Sequence, residues 1–367
     1  MNNDLQRLTV PGVRELTPYV PGKPVSDLQR ELGLSDIVKL ASNENPLGPS
    51  PKALAAAKAA LEEVALYPDG GGFALKAALS AKLGVTPNQI TLGNGSNDVL
   101  DIVARVFLAP SDAAVFSEHA FAVYALSTQA VGARGVVTPA KDHGHDLEAM
   151  AAAIGNDTKV VFIANPNNPT GTYLKRDALH AFLCRARDVV VVVDEAYFEY
   201  VDEPDYPDSL EWLPEFPNLV VTRTFSKAYG LAGLRVGYAV SSPEIADLLN
   251  RVRQPFNVNS LALAAAAAAL EDEDHLARSA VLNREGLQQL GSAFAARGLD
   301  FIPSVGNFIT VDMGRPAGPV YDALLRRGVI VRPVANYGLP NHLRVTVGTA
   351  EQNRSFLNAL DEVLADG

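Results

Sequence analysis

The sequence predicts an α/β fold, with a large domain built on a mainly parallel central sheet and a smaller α+β domain at the C-terminus. Short β-branched runs alternate with helical stretches through the first two thirds of the chain, which is typical of parallel strands joined by crossover helices. Beyond Pro255 the pattern changes to two long helices followed by short strands. The chain has 367 residues, 48% of them hydrophobic, so it can bury more than one core.

Three segments are predicted in chain order. Residues 1–34 contain four prolines, which favours an extended N-terminal arm over a packed element. The large domain is predicted over 35–254, and its buried strands are expected at 113–116, 160–164, 189–193, 219–222 and 236–240. The small domain is predicted over 255–367, with helices at 261–270 and 275–297 and strands at 308–311, 329–331 and 343–347.

Composition and charge exclude several classes of partner. The formal net charge of -11 is spread along the chain, and no run rich in lysine or arginine offers a nucleic-acid footprint. The longest apolar run, residues 261–270, is about half of the ~20 residues that a membrane span needs. The first fifteen residues lack the pattern of a secretory signal, and the single cysteine, Cys184, favours a reducing compartment. A cytoplasmic location is therefore expected.

The most informative segment is the small, polar, glycine-rich stretch 224–235, which follows a predicted buried strand. A lysine in such a place, Lys227, is poorly solvated, and burial lowers its pKa and favours the free amine that forms a Schiff base with an aldehyde. Ser226 and Arg235 place a hydroxyl and a guanidinium within reach of one phosphate. The alternative is an ordinary surface lysine in a loop.

A second group of polar residues follows the predicted strand 189–193. Asp194 would lie at the carboxyl end of a parallel strand, where such sheets bind ligands, and its carboxylate can keep a pyridine nitrogen protonated. Tyr197, three residues later, can hydrogen-bond a phenolic oxygen on the same ring. The structural alternatives are a helix-capping Asp194 and a half-buried packing Tyr197.

Two loops add further ligand groups. The loop 165–171 contains two prolines and a glycine, and its stiffness can hold the Asn168 amide over a ligand oxygen. The segment 93–98 precedes an amphipathic helix, and its amides with Ser96 suit a phosphate at a helix N-terminus. Asp98 stands where the dinucleotide fingerprint needs its third glycine, so a nicotinamide dehydrogenase is disfavoured.

Four strings in this order resemble the fold-type-I aminotransferases: GNGSND, NPNNPTG, DEAY and TFSKAYGLAGLRVGY, between residues 93 and 238. Within that superfamily the chain resembles the histidinol-phosphate aminotransferases, which also share LASNENPLGPSP at 40–51, YPDG at 67–70 and LRVTVGT at 343–349. The resemblance therefore spans nearly the whole chain. It implies pyridoxal 5'-phosphate as the cofactor.

The resemblance also implies roles for individual residues. Lys227 would form the Schiff base, Asp194 would meet the pyridine nitrogen, and Tyr197 with Asn168 would meet the phenolic oxygen. The cofactor phosphate would be held by Ser96, Asn97, Ser226 and Arg235, and the ring would stack on Phe121, where many relatives have tyrosine. Substrate groups would meet Tyr19, Asn45, Arg332 and Arg344. Tyr67 would reach the cofactor phosphate of a second chain, so a homodimer with shared sites is expected.

The implied reaction moves an amino group between histidinol phosphate and 2-oxoglutarate, with imidazole acetol phosphate and glutamate on the other side. An aromatic amino-acid aminotransferase would keep every cofactor residue, and a threonine-phosphate decarboxylase would use the same scaffold as a lyase. A non-catalytic binding module is the alternative from another class, and the intact Lys227 argues against it. No metal is expected, because His143 and His145 lie in a polar stretch predicted to be a solvated loop.

Overall fold

The computed structural model describes residues 5–366, so the first four residues of the predicted arm lie outside it. Turns of 3-10 helix join several of its elements. The α-helices are α1 (Pro11–Arg14), α2 (Val25–Leu32), α3 (Pro51–Ala60), α4 (Phe73–Leu83), α5 (Ser96–Phe107), α6 (Ala122–Ala130), α7 (Leu147–Ala152), α8 (Arg176–Arg185), α9 (Pro243–Val252), α10 (Ser260–Leu270), α11 (Glu273–Ala296), α12 (Ala317–Arg326) and α13 (Ala350–Ala365).

The strands are β1 (Val38–Lys39), β2 (Ile90–Gly93), β3 (Ala113–Ser117), β4 (Arg134–Thr138), β5 (Ala140–Lys141), β6 (Gly144–His145), β7 (Thr158–Ala164), β8 (Val190–Asp194), β9 (Leu219–Thr224), β10 (Gly237–Ser241), β11 (Phe301–Ile302), β12 (Phe308–Asp312), β13 (Val329–Ile330), β14 (Arg332–Pro333) and β15 (His342–Thr346). Seven of them form one sheet in the order β2-β10-β9-β8-β7-β3-β4. Only β10 runs antiparallel to its neighbours in this sheet. The predicted α/β class with a mainly parallel sheet is confirmed.

Alternate residues of the central strands face two different cores. Val191 and Val193 belong to one core, whereas Val192 belongs to the other, together with Phe162 and Val220. This alternation follows from the two-residue period of a strand. Burying a valine side chain on either face contributes about 1.5 to 3 kcal/mol, so the sheet is held from both sides. The same alternation of side chains determines to which side of the sheet Asp194, at the end of β8, points.

The N-terminal segment differs from its prediction. The prediction of an extended arm is wrong for the residues of α2, which form a helix. The eight residues contain no proline, and Gly33 ends the helix in a left-handed conformation, φ 68°. Leu28 on this helix is fully buried and packs with Ala41 and Ile330. The helix and β1, which pairs with β13, therefore attach the start of the chain to the C-terminal part.

The C-terminal part contains an antiparallel sheet, β11-β12-β15-β14. Helices α11, α12 and α13 contribute to the core of this sheet. Helix α10, which the sequence places at the start of the small domain, packs on α3 and α4, and its alanines lie in a core of the seven-stranded sheet. The domain boundaries at 34 and 254 stay predictions. None of the helices within residues 5–366 has the length and apolar character needed to cross a bilayer.

Candidate active site

A cavity of about 390 Å³ opens at the carboxyl ends of β7, β8 and β9. This is the edge of an open α/β sheet at which ligands bind. The cavity brings together all of the predicted site residues except Asn45 and Tyr67. Its lining includes Tyr19, Ser96, Asn97, Phe121, Asn168, Asp194, Tyr197, Ser226, Lys227, Arg235, Arg332 and Arg344.

Lys227 lies in the turn after β9, and its amine faces the cavity. Its Nζ donates a hydrogen bond to the carbonyl oxygen of Ser42 at 3.2 Å. The pKa of the Lys227 amine falls from its usual 10.5 to about 7, mainly because burial removes water from the ammonium ion and also because cationic Arg344 is near. A large fraction of the amine is therefore neutral at physiological pH, and this is the form that attacks an aldehyde.

With a pKa of about 7, the Lys227 amine is mainly protonated below pH 7 and mainly neutral above it. The reaction of this amine with an aldehyde should therefore become faster as the pH rises. We expect the rate of covalent attachment of pyridoxal phosphate to the cofactor-free protein to rise about tenfold between pH 6 and 8 and then to level off. Stopped-flow absorbance measures this rate, and Lys227→Ala protein serves as the blank. A rate that keeps rising to pH 10 would show an unshifted amine.

Asp194 ends β8 with its carboxylate buried in the floor of the cavity. Its Oδ2 accepts from the hydroxyl of Tyr124 at 2.9 Å, and its Oδ1 accepts from Thr222 at 2.8 Å. Burial raises the pKa of Asp194, whereas these two hydrogen bonds and the charge of Lys227 act against the shift. Two fixed donors therefore orient an acidic group that has one face left for a ligand.

Glu195, the next residue, points to the opposite side of the sheet. Its Oε2 lies 2.7 Å from Nη2 of Arg223, and both side chains are almost completely buried. The same guanidinium also pairs with Asp208 at 2.6 Å. Because Arg223 neutralises it, Glu195 is tied into the core and does not compete with Asp194 for a ligand.

The N-terminus of α5 and the turn carrying Ser226 form a pocket for an anion. Arg235 lies beside both, since its Nη1 donates to Oγ of Ser226 at 3.3 Å. A side chain at Gly95, which has φ 81°, would lie only 2.5 Å from Nη2 of Arg235. The missing side chain therefore lets the guanidinium close on the helix N-terminus, where Ser96 and the first amides favour a phosphate.

Tyr197 is buried next to Asp194 and remains a hydrogen-bond donor at neutral pH. Burial raises the pKa of the Tyr197 hydroxyl to about 12. The hydroxyl accepts from Nδ2 of Asn43 at 2.9 Å. Thr346 on β15 fixes Asn43 by accepting from its backbone amide and donating to its side-chain oxygen, at 2.9 and 3.1 Å.

Arg344 reaches the cavity from β15, and two oxygens of the protein accept from its guanidinium. Nη1 donates to the Asn168 side chain, and Nη2 donates to the carbonyl of Ala41 at 2.8 Å. Its Nε is buried and finds no partner within the described residues. Arg344 lines the cavity, so the N–H groups of Nη1 and Nη2 that make neither of these bonds can meet an anionic ligand oxygen.

Arg332 and Tyr19 form the outer wall of the cavity. Nη2 of Arg332 donates to the carbonyl of Val20 at 2.7 Å, and its guanidinium lies 5.6 Å from the centre of the Tyr19 ring. These contacts hold the segment around Tyr19 against β14 at the cavity.

Two predicted residues lie outside the cavity. The side-chain amide of Asn45 donates to the carbonyl of Ala228 and to Ser279, both at 2.8 Å, so its donors are already used within the protein. Asn43, two residues earlier, lines the cavity in its place. Tyr67 is 83% exposed and stacks on Phe256 with ring centres 4.8 Å apart, away from the cavity of its own chain.

Sequence reasoning gave no role to Asn43, Tyr124 or Thr222. Thr222 could have been predicted as a partner of Asp194, because the two residues are paired in the parallel register of β8 and β9. Tyr124 also had one, since it stands one helical turn after Phe121 and so near the same ligand.

The prediction of a solvated loop is wrong for His145, although it holds for the exposed His143. His145 pairs β6 with β5, and its ring lies buried against β7, where Nε2 contacts the backbone of Ala164 at 2.9 Å. Burial lowers the pKa of His145 to about 4, so the imidazole is neutral and serves the packing of this hairpin.

The cavity has the groups that pyridoxal phosphate needs. Lys227 supplies an amine, the buried Asp194 supplies an anion, and the α5 N-terminus with Arg235 supplies a phosphate pocket. Arg344 adds a cationic group to the lining that can meet a substrate anion. These features match the cofactor's aldehyde, ring nitrogen and phosphate.

Comparison with known proteins identifies the family. Residues 35–360 match the model for aminotransferase class I and II. Histidinol-phosphate aminotransferase 2 of Methylococcus capsulatus is 65% identical over 364 residues, which cover 97% of this chain and 98% of that protein. The chain belongs to the histidinol-phosphate aminotransferase family. The protein of the same name from Pseudomonas aeruginosa is 63% identical over 366 residues, with 99% of both chains covered.

Comparison of the fold with solved structures supports the same family assignment. The histidinol-phosphate aminotransferase of Sinorhizobium meliloti, determined in complex with pyridoxal-5'-phosphate, has a TM-score of 0.90 and 31% identity and covers 97% of both chains. A double mutant of the Thermus thermophilus aspartate aminotransferase, at 22% identity and a TM-score of 0.82, shares the fold. The fold described above is therefore also the fold of a solved histidinol-phosphate aminotransferase.

Proposed function

We propose that this chain binds pyridoxal 5'-phosphate and transfers an amino group between histidinol phosphate and 2-oxoglutarate, yielding imidazole acetol phosphate and glutamate in histidine biosynthesis. The observation that carries the proposal is the identity of 65% and 63%, over nearly full length, to proteins named for this activity. The cavity supports it, because Lys227, Asp194 and the phosphate pocket lie together in it.

When bound, the cofactor withdraws electrons from the carbon that loses a proton. In the proposal Lys227 holds the cofactor and then serves as the base, because its lowered pKa lets it take a proton near neutral pH and return it to a neighbouring carbon. Asp194, held by Tyr124 and Thr222, keeps the ring nitrogen protonated. Tyr197 and Asn168 would meet the phenolic oxygen, and Phe121 would support the ring.

The substrate anions are assigned to the two arginines at the outer side of the cavity. Histidinol phosphate carries no carboxylate beside its amine, whereas glutamate does. Arg344 and Arg332 must therefore serve a phosphate in one half-reaction and a carboxylate in the other. Both arginines line the cavity, and Arg332 lies beside Tyr19, which supports this assignment.

Replacing Arg344 by alanine should raise the KM values for histidinol phosphate and for glutamate alike. A charge-assisted hydrogen bond contributes about 1.5 to 3 kcal/mol, so each KM should rise on the order of tenfold or more. Steady-state kinetics with each substrate varied in turn measure both values. Arg326→Ala, which removes an exposed arginine of α12, is the matched control and should leave both KM values unchanged. An increase for only one substrate would refute a shared anion site.

A substrate panel tests the proposed reaction. Purified holoenzyme should form the oxo-product from histidinol phosphate with a kcat/KM well above that for tyrosine, phenylalanine or leucine. Preference for phenylalanine would make the enzyme an aromatic amino-acid aminotransferase. Release of carbon dioxide from threonine phosphate without an oxo-acid acceptor would make it a decarboxylase. Either outcome would overturn the assigned substrate while leaving the roles of Lys227 and Asp194 in place.

We further propose that the active form is a homodimer in the cytoplasm. Large apolar side chains between α3 and α4 and at Phe256 lie exposed in the single chain, with Tyr67 83% and Phe73 80% accessible. Such a cluster on one chain is typical of a surface that a second copy covers. Cys184, free and exposed, agrees with a reducing compartment.

Mixing two inactive variants should restore activity if Tyr67 serves the site of the second chain. Lys227→Ala and Tyr67→Ala chains should each be inactive or weak as homodimers. In a mixed dimer one site carries both lesions, and the other has an intact Lys227 and an intact Tyr67. Each mixed dimer should therefore show about half of the parent activity, since one of its two sites is whole.

Co-expression with two different tags isolates the mixed dimers, and transamination of histidinol phosphate measures their activity. Mixed dimers of Lys227→Ala with parent chains are the control and should also show half activity. Absence of recovery in the Tyr67→Ala mixture would place Tyr67 within its own chain's site, because every site would then retain a lesion.

A further inference from the structure

We propose that a side-chain cluster away from the cofactor cavity is a binding site for a thiophilic divalent cation of the zinc class. Its ligands are His180, Cys184 and Glu215. One imidazole nitrogen, the thiol sulfur and one carboxylate oxygen all lie within 4.8 Å of one another, and no other group of three such side chains among residues 5–366 does. None of the three lines the cofactor cavity.

The fold places His180 and Cys184 at a suitable distance. His180 and Cys184 are four residues apart on α8, so they lie on the same face of the helix. The sulfur of Cys184 is 3.8 Å from Nδ1 of His180. Nitrogen and sulfur ligands of a tetrahedral zinc ion are about 3.6 Å apart, given bond lengths of about 2.0 and 2.3 Å. Only a small adjustment is therefore needed to bring both onto one ion.

Glu215 comes from the segment that precedes β9 and completes the set. Its Oε2 lies 3.0 Å from Nε2 of His180. Its Oε1 lies 3.4 Å from Arg187, which positions the carboxylate. Nε2 of His180 is not the nitrogen that faces Cys184, and an ion binds only one nitrogen of the ring. An ion held by Nδ1 and Cys184 therefore requires the Glu215 carboxylate to leave Nε2 and move towards the sulfur.

Aromatic packing holds the imidazole before any ion arrives. The His180 ring meets Trp212 and Phe216 edge-on, at centre distances of 5.4 and 5.3 Å. A ring that is already ordered loses little rotamer entropy on binding. Cys184 is exposed, so an ion can approach from solvent.

The chemistry of the ligand set selects the ion. A thiolate with an imidazole and a carboxylate suits zinc or cadmium and disfavours magnesium and calcium, which prefer oxygen ligands. On binding, the Cys184 sulfur bonds the metal and releases its proton to solvent, while neutral His180 and anionic Glu215 donate lone pairs. Water fills the fourth position, and no group is oxidised or reduced.

A bound ion would link two connections of the central sheet. Helix α8 leads into β8, and the segment with Glu215 leads into β9, so the ion would fasten the approaches to both strands. The expected effect is higher thermal stability with an unchanged KM, because the cluster and the cavity share no residue.

Cadmium titration of metal-free, untagged holoenzyme tests the site. Cys184 is the only cysteine in the chain, so an ultraviolet thiolate-to-cadmium band can come from no other residue. We expect the band to saturate at one equivalent, zinc to suppress it, and zinc to raise the unfolding temperature. Cys184→Ser should lose all three effects, and His180→Gln should bind at least about tenfold more weakly.

His143→Gln, which removes an exposed imidazole elsewhere, is the matched control and should bind like the parent. Two results would overturn the proposal. One is a band that does not saturate at one equivalent. The other is parental affinity in His180→Gln, which would mean that the thiol binds cadmium alone. Unfolding scans without metal verify that each variant is folded.

Discussion

Replacing Lys227 by alanine is expected to reduce transamination on the order of 1,000-fold or more, because one amine provides both the attachment of the cofactor and the proton transfer. Cofactor binding should persist, since the α5 N-terminus and Arg235 still hold a phosphate and Asp194 still faces the ring. The visible absorbance of the covalently attached cofactor should therefore vanish while equilibrium dialysis still detects binding.

Lys58→Ala, which removes an exposed lysine of α3, is the matched control and should keep parental turnover. Circular dichroism and unfolding scans should show that both variants are folded. Turnover near the parental rate in Lys227→Ala would refute the assignment of this lysine. An added small amine that restores part of the rate would support the role of base, because it replaces the missing proton acceptor.

Replacing Asp194 by asparagine should lower kcat on the order of 100-fold or more while changing cofactor affinity much less. A neutral amide cannot keep the ring nitrogen protonated, so the charge that develops at the reacting carbon loses its stabilisation. The asparagine has nearly the same shape, but its one side-chain oxygen can accept from only one of Tyr124 and Thr222, and the other hydroxyl must rotate to accept from the amide nitrogen. Single-turnover kinetics separate the chemical step from binding.

Asp188→Asn, at an exposed position before β8, is the control and should behave like the parent. A second readout is independent of turnover: the absorbance of the bound cofactor should titrate at a different pH in Asp194→Asn, because the ring has lost its anionic partner. A variant that loses affinity but keeps kcat would leave Asp194 with a purely structural role.

The central strands could be predicted because strands buried on both faces are continuous β-branched runs. Residues 190–193, four valines, are such a run and form most of β8. The antiparallel direction of β10 could not be predicted, because its residues are as buried as those of β9 and direction depends on the connection between them. The helix α2 was missed because the prolines around it dominate the local composition.

Some of the cavity residues that could be predicted lie in loops of unusual composition, as Lys227 and Asn168 do, whereas Asp194 could be predicted from its place at the end of a run of valines. The choice between Asn43 and Asn45 could not be made, since both are asparagines of one loop. Asn43 has a left-handed backbone, φ 54°, and that local conformation directs its amide towards Tyr197. Only the path of the backbone distinguishes the two positions.

The two adjacent acidic residues at the end of β8 have different roles. Asp194 presents its carboxyl group to the cavity, while Glu195 is paired with Arg223 inside the core. One residue is thus placed for chemistry and the next for folding, and the pleat of a single strand keeps them apart. A change of one residue in the length of β8 would exchange these two directions, so the site depends on the length of this strand as well as on Asp194 itself.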